Sequence, residues 1–486
     1  MSVDAAPAAA LDRPEEILNP RRWRALAVSL LAGFMSLLDV SIVNVAMPSM
    51  ERDLHATPAT LQWVVSGYAM MLGLTMVPAG RLGDLLGRRR MFLVALSSFA
   101  LTSALSGLAP TVGLLVGARI LQGVAGGMLL PQNSALIQDL FRGDERGRAF
   151  GMLGAVTALA TATGPIVGGL VLTTSSGTSD WRWIFLINVP IGLLALVLAA
   201  RLLPPDTRAQ RDPLRLDIVG CVLLGAAVLS VLLPLVDASN GGLTALWPLL
   251  VVAVVLTVAF ARWELRAADR GGQPVLDPEL ARTRGFASGA SIGVVYLAGT
   301  TGIWLVLALF LQKGLGYTPL LSGLTVTPSA LAMAVSAVIS GRLVPRFGRW
   351  LTMLGLLTAI AGLLGTALVL GGLGGTAPWW AIAAPLVVQG LGSGMVSSPN
   401  TTMTLQFVPI HLAGAAGGAL QTGKRIGSAV GAAGLVTVYY RSTASGHDPV
   451  AALGHVLVVG VGLILVAVAM AVVELRRSRQ PAVSGR

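Results

Sequence analysis

The chain has 486 residues, of which 54% are hydrophobic and only 12% charged, with a mean hydropathy of +0.77. A soluble fold carries about twice that charged fraction, so the composition excludes a water-soluble globular protein and indicates a polytopic membrane protein. The net charge of +12 calls for no nucleic-acid partner, because basic residues gathered along one membrane surface account for it.

Windows of about 20 apolar residues, the length that crosses roughly 30 Å of hydrocarbon, occur at 25–47, 59–79, 90–109, 112–134, 147–172, 183–203, 216–236, 245–264, 286–311, 320–343, 351–371, 378–401, 413–440 and 452–474. These fourteen spans alternate the sides of their loops. Of 34 basic residues, 27 fall in the tails and loops of one side, against Arg52, Arg182, Lys313 and Arg441 on the other. Basic loops stay in the cytoplasm, so both termini are expected there. Arg21, Arg22 and Arg24 sit directly before a first span too long for a signal-peptide core, which predicts an uncleaved helix.

The first span holds the most informative residue. Asp39 is the only acid near the middle of any apolar span, and a carboxylate in hydrocarbon costs roughly 2.5 to 3.5 kcal/mol on insertion scales. A chain keeps such a group to bind a cation, a proton or a salt-bridge partner. Asn44 follows on the same span, and Trp63 and Tyr68 lie on the second. The loop at 80–90 combines Gly80, Asp84, Gly87 and Arg88 with further arginines, which suits a tight turn whose acid caps a helix or pairs with arginine. A turn that merely anchors the chain by its positive charge is the plainer reading of the same residues.

On the fourth span Arg119 lies about 12 Å from the outer end, the depth of Asp39 on the first. An Asp facing an Arg at equal depth is held ionised, and its protonation would release the Arg, which makes a two-state switch; a permanent structural ion pair is the competing reading. Gln122 and Asn133 share that span. The fifth aligns Gly151, Gly154, Gly164, Pro165, Gly168 and Gly169 among Ala and Thr, so close backbone approach and a kink at Pro165 are both served. The seventh and eighth spans carry no mid-span charge and read as a lipid-facing spacer; Cys221, the only cysteine, excludes an intrachain disulfide. Gly289 to Gly293 matches a nucleophile-elbow pattern by chance, with no strand before it, and no HExxH, phosphate loop or paired-cysteine metal motif occurs. No enzyme, no metal and no cofactor are expected.

Two segments repeat. Gly80 to Arg88 recurs 261 residues later as Gly341 to Arg349, and Gln122, Gly123, Gly127, Met128 and Asn133 recur at an offset of 267 as Gln389, Gly390, Gly394, Met395 and Asn400. Two matches at nearly one offset argue for duplication, with room left for two inserted spans. The layout expected is a tail at 1–24, a six-helix bundle at 25–203, a two-helix insert with linkers at 204–285, a second six-helix bundle at 286–474 and a tail at 475–486. The halves differ: Asp84 becomes Pro345, Arg119 becomes Leu386, and the ninth span has no acid. Ion coupling is therefore expected in the first half. Tyr296, Trp304, Gln389 and Asn400 join the amides and aromatics named above as candidate cavity lining for a lipophilic ligand, or as interhelical packing. Lys424, beside Arg425, lies about 16 Å into the thirteenth span if that span starts at 413, facing the cavity, or snorkels to the surface if the span starts later.

With these residues in hand the chain resembles the major facilitator superfamily, and within it the fourteen-span drug:proton antiporters. The resemblance runs from about 25 to 474. It rests on Leu38-Asp39 through Pro48, Gly80 to Arg90, Arg119 with Gln122-Gly123, Gly164-Pro165-Ile166-Val167-Gly168-Gly169, and Trp181 through Pro190. It implies a monomer in a bacterial plasma membrane, its two halves rocking about a midplane site and exporting lipophilic drugs or antibiotics in exchange for protons, with the proton gradient as energy source. Asp39 would be the coupling acid, Arg119 its partner and Asp84 part of a cytoplasmic gate. Ala160 stands where the fifth-span motif usually has glycine, and Lys424 where relatives more often have arginine, which leaves that position's role open. No further acid lies at mid-depth in the second half, so monovalent, zwitterionic or neutral substrates are expected rather than dications. Uptake of one metabolite and a receptor that binds without transporting are the competing functions.

Overall fold

The computed structural model describes residues 21–174, 180–206, 217–236, 245–270, 274–283 and 285–479, and the described part is all helix, turn and loop. The long helices are α1 (Arg22–Leu54), α2 (Pro58–Leu86), α3 (Arg88–Gly107), α4 (Val112–Leu140), α5 (Gly143–Thr174), α6 (Asn188–Leu202), α7 (Ile218–Val236), α8 (Trp247–Asp269), α9 (Phe286–Leu309), α10 (Pro319–Phe347), α11 (Arg349–Leu373), α12 (Trp379–Leu405), α13 (Ala413–Ala444) and α14 (Pro449–Arg479). A short helix, Trp183–Leu186, leads into α6. Thirteen spans among the described residues are long and apolar enough to cross a bilayer. The helix that falls short is α13, whose sequence carries Lys424, Arg425 and many glycines in place of a continuous apolar run.

The helices start and stop where the chemistry asks. The Thr57 hydroxyl accepts from Thr60 N at 3.3 Å with Pro58 in the first turn, and Thr318 does the same for Leu321 N at 3.3 Å with Pro319 behind it. These two caps stand at the 261-residue offset of the glycine repeat, a third match that the apolar pattern did not show.

Helix packing repeats as well. In the first half α1 packs on α5 and α6, and α4 on α2 and α3; in the second, α9 packs on α13 and α14, and α12 on α10 and α11. The two bundles meet through α2 against α13 and α5 against α10, a pair of contacts that the same duplication interchanges. The turns at 86–88, 140–143, 347–349 and 405–413 share one end of the molecule with most of the arginines, here called the basic end.

That basic end is closed. One apolar cluster joins Leu130, Leu136 and Phe141 of the first half to Leu412, Ala416 and Leu420 of the second. Toward the opposite end the cores separate: Ile42, Met50, Leu115 and Trp181 cluster only with first-half residues, and Ile303, Phe310, Leu363 and Leu453 only with second-half residues. The halves therefore grip at the basic end and part at the other.

The spacer expectation for the insert needs correction. α8 does present valines to the outside, but α7 packs against α2 and α13 together, with Val228 and Leu232 beside Met70, Ile426 and Ala429. It thus lies across one of the two lines where the halves meet. Burying apolar side chains against both halves gives α7 a place that lipid contact alone would not fix.

Candidate functional site

Asp39 lies about halfway along α1 and is fully buried. Its Oδ2 pairs with Nη1 of the equally buried Arg119. Its Oδ1 accepts from Gln122 Nε2 at 3.2 Å and from Asn188 Nδ2 at 3.0 Å. Gln122 in turn accepts from Arg119 Nη1 at 2.8 Å, and Ser103 Oγ accepts from both amides at 3.1 Å while donating to Phe185 O at 2.9 Å. Arg119 is fixed further by Nε donating to Val64 O at 3.1 Å and by its guanidinium carbon standing 4.1 Å from the Tyr68 ring centroid. The Tyr68 hydroxyl donates to Ser36 O at 3.0 Å.

This is a hub of α1, α2, α3, α4 and α6 built on one carboxylate. A buried ion pair holds only when its remaining donors and acceptors are satisfied, and here Asp39 has three donors from three side chains. Asp39 thus supplies at once the counter-charge of Arg119 and the acceptor that ties α4 and α6 to α1. The α5 motif supports α1 two residues further on. Ser41 Oγ donates to Ala160 O at 3.2 Å, and a β-carbon on Gly164 would lie 3.0 Å or less from Ser41 atoms. Gly168 is buried and Gly169 half-buried, while the side chains of Pro165 and Asn44 lie outside the described residues.

At the basic end Asp84 does both things its sequence allowed. Its Oδ1 accepts from Gly414 N at 3.0 Å and its Oδ2 from Ala415 N at 2.9 Å, which caps the first turn of α13 from the opposite half. Arg88 Nη2 donates to Asp84 Oδ1 at 3.2 Å, and Arg88 also pairs with Asp139 and donates to the Ile410 carbonyl across the interface. Gly80 lies on Gly414 so closely that a β-carbon on either would overlap the other's backbone. Gly87, with φ of 103°, opens the turn in which Asp206 accepts from Arg89 N at 2.9 Å and Arg90 N at 3.1 Å. Replacing Asp84 by alanine is expected to cost this closed end about 0.5–2 kcal/mol, the ordinary worth of a cap, and to raise amide hydrogen exchange at Gly414 and Ala415 by about 2- to 30-fold. Unchanged exchange would mean that another group caps α13.

The remaining candidates divide. Asn133 accepts from Ser29 Oγ at 2.7 Å inside the first bundle, and Tyr296 donates to Ser393 Oγ at 2.7 Å, as Gln389 does at 2.9 Å, inside the second. Asn400 accepts from Arg349 Nη1 at 3.2 Å and donates to Gly289 O at 2.9 Å, and Arg349 pairs with Glu474 at 2.7 Å. These amides and hydroxyls hold helices together. Trp304 lines a recess of the second half with Thr300, Leu386 and Gln389, and Trp63 is exposed. Lys424 Nζ donates to Thr401 Oγ1 at 2.9 Å. Sequence reasoning did not single out Ser103, Asp139 or Asp206, since single polar residues among apolar or loop residues carry no spacing signal; Asn188 stood within the Trp181 to Pro190 motif.

The family model described as Major Facilitator Superfamily matches residues 29–432. The chain belongs to the major facilitator superfamily. It is 35% identical over 88% of its length to a probable actinorhodin transporter of Streptomyces coelicolor, covering 75% of that protein. It is 38% identical over 88% of its length to puromycin resistance protein pur8 of Streptomyces alboniger, covering 84% of it. The crystal structure of the human organic anion transporter MFSD10 superposes with a TM-score of 0.69 over 93% of this chain and 100% of that one, at 15% identity, a likeness of fold alone. The superfamily chain is thus a multi-pass membrane transporter of small molecules and not an enzyme.

Proposed function

We propose that this major facilitator exports lipophilic antibiotic-like compounds from a bacterial cytoplasm in exchange for protons. The basic end is the cytoplasmic one, by the bias of basic loops. The observation that carries the reading is the Asp39 hub: one fully buried carboxylate on α1 holds Arg119 and Gln122 of α4 and Asn188 of α6, so proton gain would release two neighbouring helices in one event. The state seen here is closed at the basic end, the side from which substrate would be taken. Protonation of Asp39 loosens the first bundle, the Asp84 cap and the glycine crossings part, and the proton leaves to the cytoplasm as substrate enters. Resistance and transport names among the similar proteins support the same direction. The two halves work within one chain, so a monomer suffices.

The test is flux in everted membrane vesicles with an acidic interior, using one neutral, one cationic and one anionic fluorescent lipophile. Accumulation of at least one dye inside, abolished when the pH gradient is collapsed, is the expected result. Dye that moves in the same direction as the protons, or accumulation that survives collapse of the gradient, would overturn antiport.

A further inference from the structure

Lys424 and Arg425 stand side by side on α13, with backbones about 16 Å from the start of that helix. Neighbouring residues on a helix point roughly 100° apart, and these two side chains leave toward different halves. Lys424 turns into the second bundle, where Nζ meets Thr401 of α12 and where a β-carbon on Gly293 of α9 would lie 3.4 Å from its Cε. Arg425 turns to the first bundle, with its Cβ against Gly73 of α2 and its charge within reach of Tyr68. Since α13 starts at Ala413 and Lys424 bonds to Thr401, neither the helix nor the hydrogen bond leaves its amine at the outer surface of the protein. Both residues keep partial exposure although they sit where the bundles face each other.

The charges around them do not balance. Among the described residues neither Lys424 nor Arg425 has a carboxylate partner, whereas Asp39, the acid at this level of the first half, is already paired with Arg119. One carboxylate therefore faces three cations in the middle of the molecule. Unpaired charge at membrane depth is costly and marks a ligand path. A positively charged substrate would meet two uncompensated like charges there, while an acid group would supply the missing counter-charge. The guanidinium offers a planar pair of donors and the ammonium a point charge, a combination suited to a carboxylate, sulfonate or phenolate.

We propose that Lys424 and Arg425 recognise an anionic group on the exported compound, so that the substrates are lipophilic organic acids. The proposal rests on the export reading and narrows it. Entry from the cytoplasm brings the acid group to Lys424 first and to Arg425 beside the Asp39 hub next, with the apolar body of the compound against the helices.

The experiment compares dansyl-phenylalanine with its methyl ester, in which one added methyl group removes the carboxylate charge, by fluorescence anisotropy on the full chain in nanodiscs. The acid is expected to bind about tenfold more tightly than the ester. Substituting Lys424→Gln together with Arg425→Gln should erase that preference, and Lys424→Arg should keep it, with thermal melting used to confirm that each variant is folded. Equal binding of acid and ester, binding of neither, or a folded double variant that still prefers the acid would each overturn the proposal. Flux in vesicles separates the two readings: acid-selective binding without gradient-driven flux removes export and leaves the anion site, whereas gradient-driven flux that is equal for acid and ester leaves export and removes the anion site.

Discussion

Asp39→Asn is expected to lower gradient-driven flux by at least about 100-fold while leaving exchange of labelled dye across a membrane without a pH gradient within a few-fold of wild type. Asparagine keeps the size of the side chain and one acceptor for Gln122 or Asn188, so the helices around it still meet. What it cannot do is bind and release a proton or balance Arg119. Removing one partner of a buried pair costs about 3–5 kcal/mol, because the other charge is stranded. Arg119 remains tied to Val64 O and stacked on Tyr68, so it cannot swing to water for relief. The variant should therefore melt at a lower temperature than wild type and lose coupling before it loses its fold. Coupled flux that survives Asp39→Asn would make the hub a structural ion pair and place the proton site elsewhere.

Much of this arrangement could be read from residue order alone, for a physical reason. A bilayer fixes the depth of every residue in a span, so Asp39 and Arg119 could be matched by counting from the outer ends of their helices, and the structure brings them into contact. Glycine repeats at one offset likewise pointed to paired bundles, because close backbone crossings tolerate no side chain. Depth counting gives no azimuth. It could not tell that Gln122 turns into the Asp39 hub whereas Asn133 and Asn400 turn into the interiors of their own bundles, bonded to Ser29 and Arg349. Nor could it place Ser103 and Asp206, each a lone polar residue whose role comes from a helix far away in sequence. The insert was misread for a related reason: an apolar helix facing lipid and one packed across two bundles have the same composition, and only the contact of Leu232 and Val228 with Met70 and Ile426 distinguishes them.

Gly341→Val is expected to keep the basic end from closing and to reduce transport by at least about tenfold, although Gly341 packs on Gly147 and Gly151 and not on the Asp39 hub. The duplication makes Gly341 the counterpart of Gly80, and each packs backbone to backbone on the other half: Gly80 on Gly414, Gly341 on Gly147. A β-carbon on Gly341 would also lie 2.8 Å from Gly151 Cα, and backbone cannot move aside as a flexible side chain can. Overpacking of this kind costs about 1–3 kcal/mol, which shifts a two-state balance by about 5- to 150-fold. On this side Pro345 stands where the first half has the capping carboxylate Asp84, so closure here lacks that cap. Each bundle buries its own core, so the variant should insert and fold, and its fault should appear as a change of state. Paired spin labels across the α5 and α10 ends would show it as a longer distance at the basic end, accompanied by slower flux. A variant with valine at position 341 that transported normally would mean that the closed state is not passed through during turnover, and the gating roles drawn for Asp84 and Gly80 would fall with it.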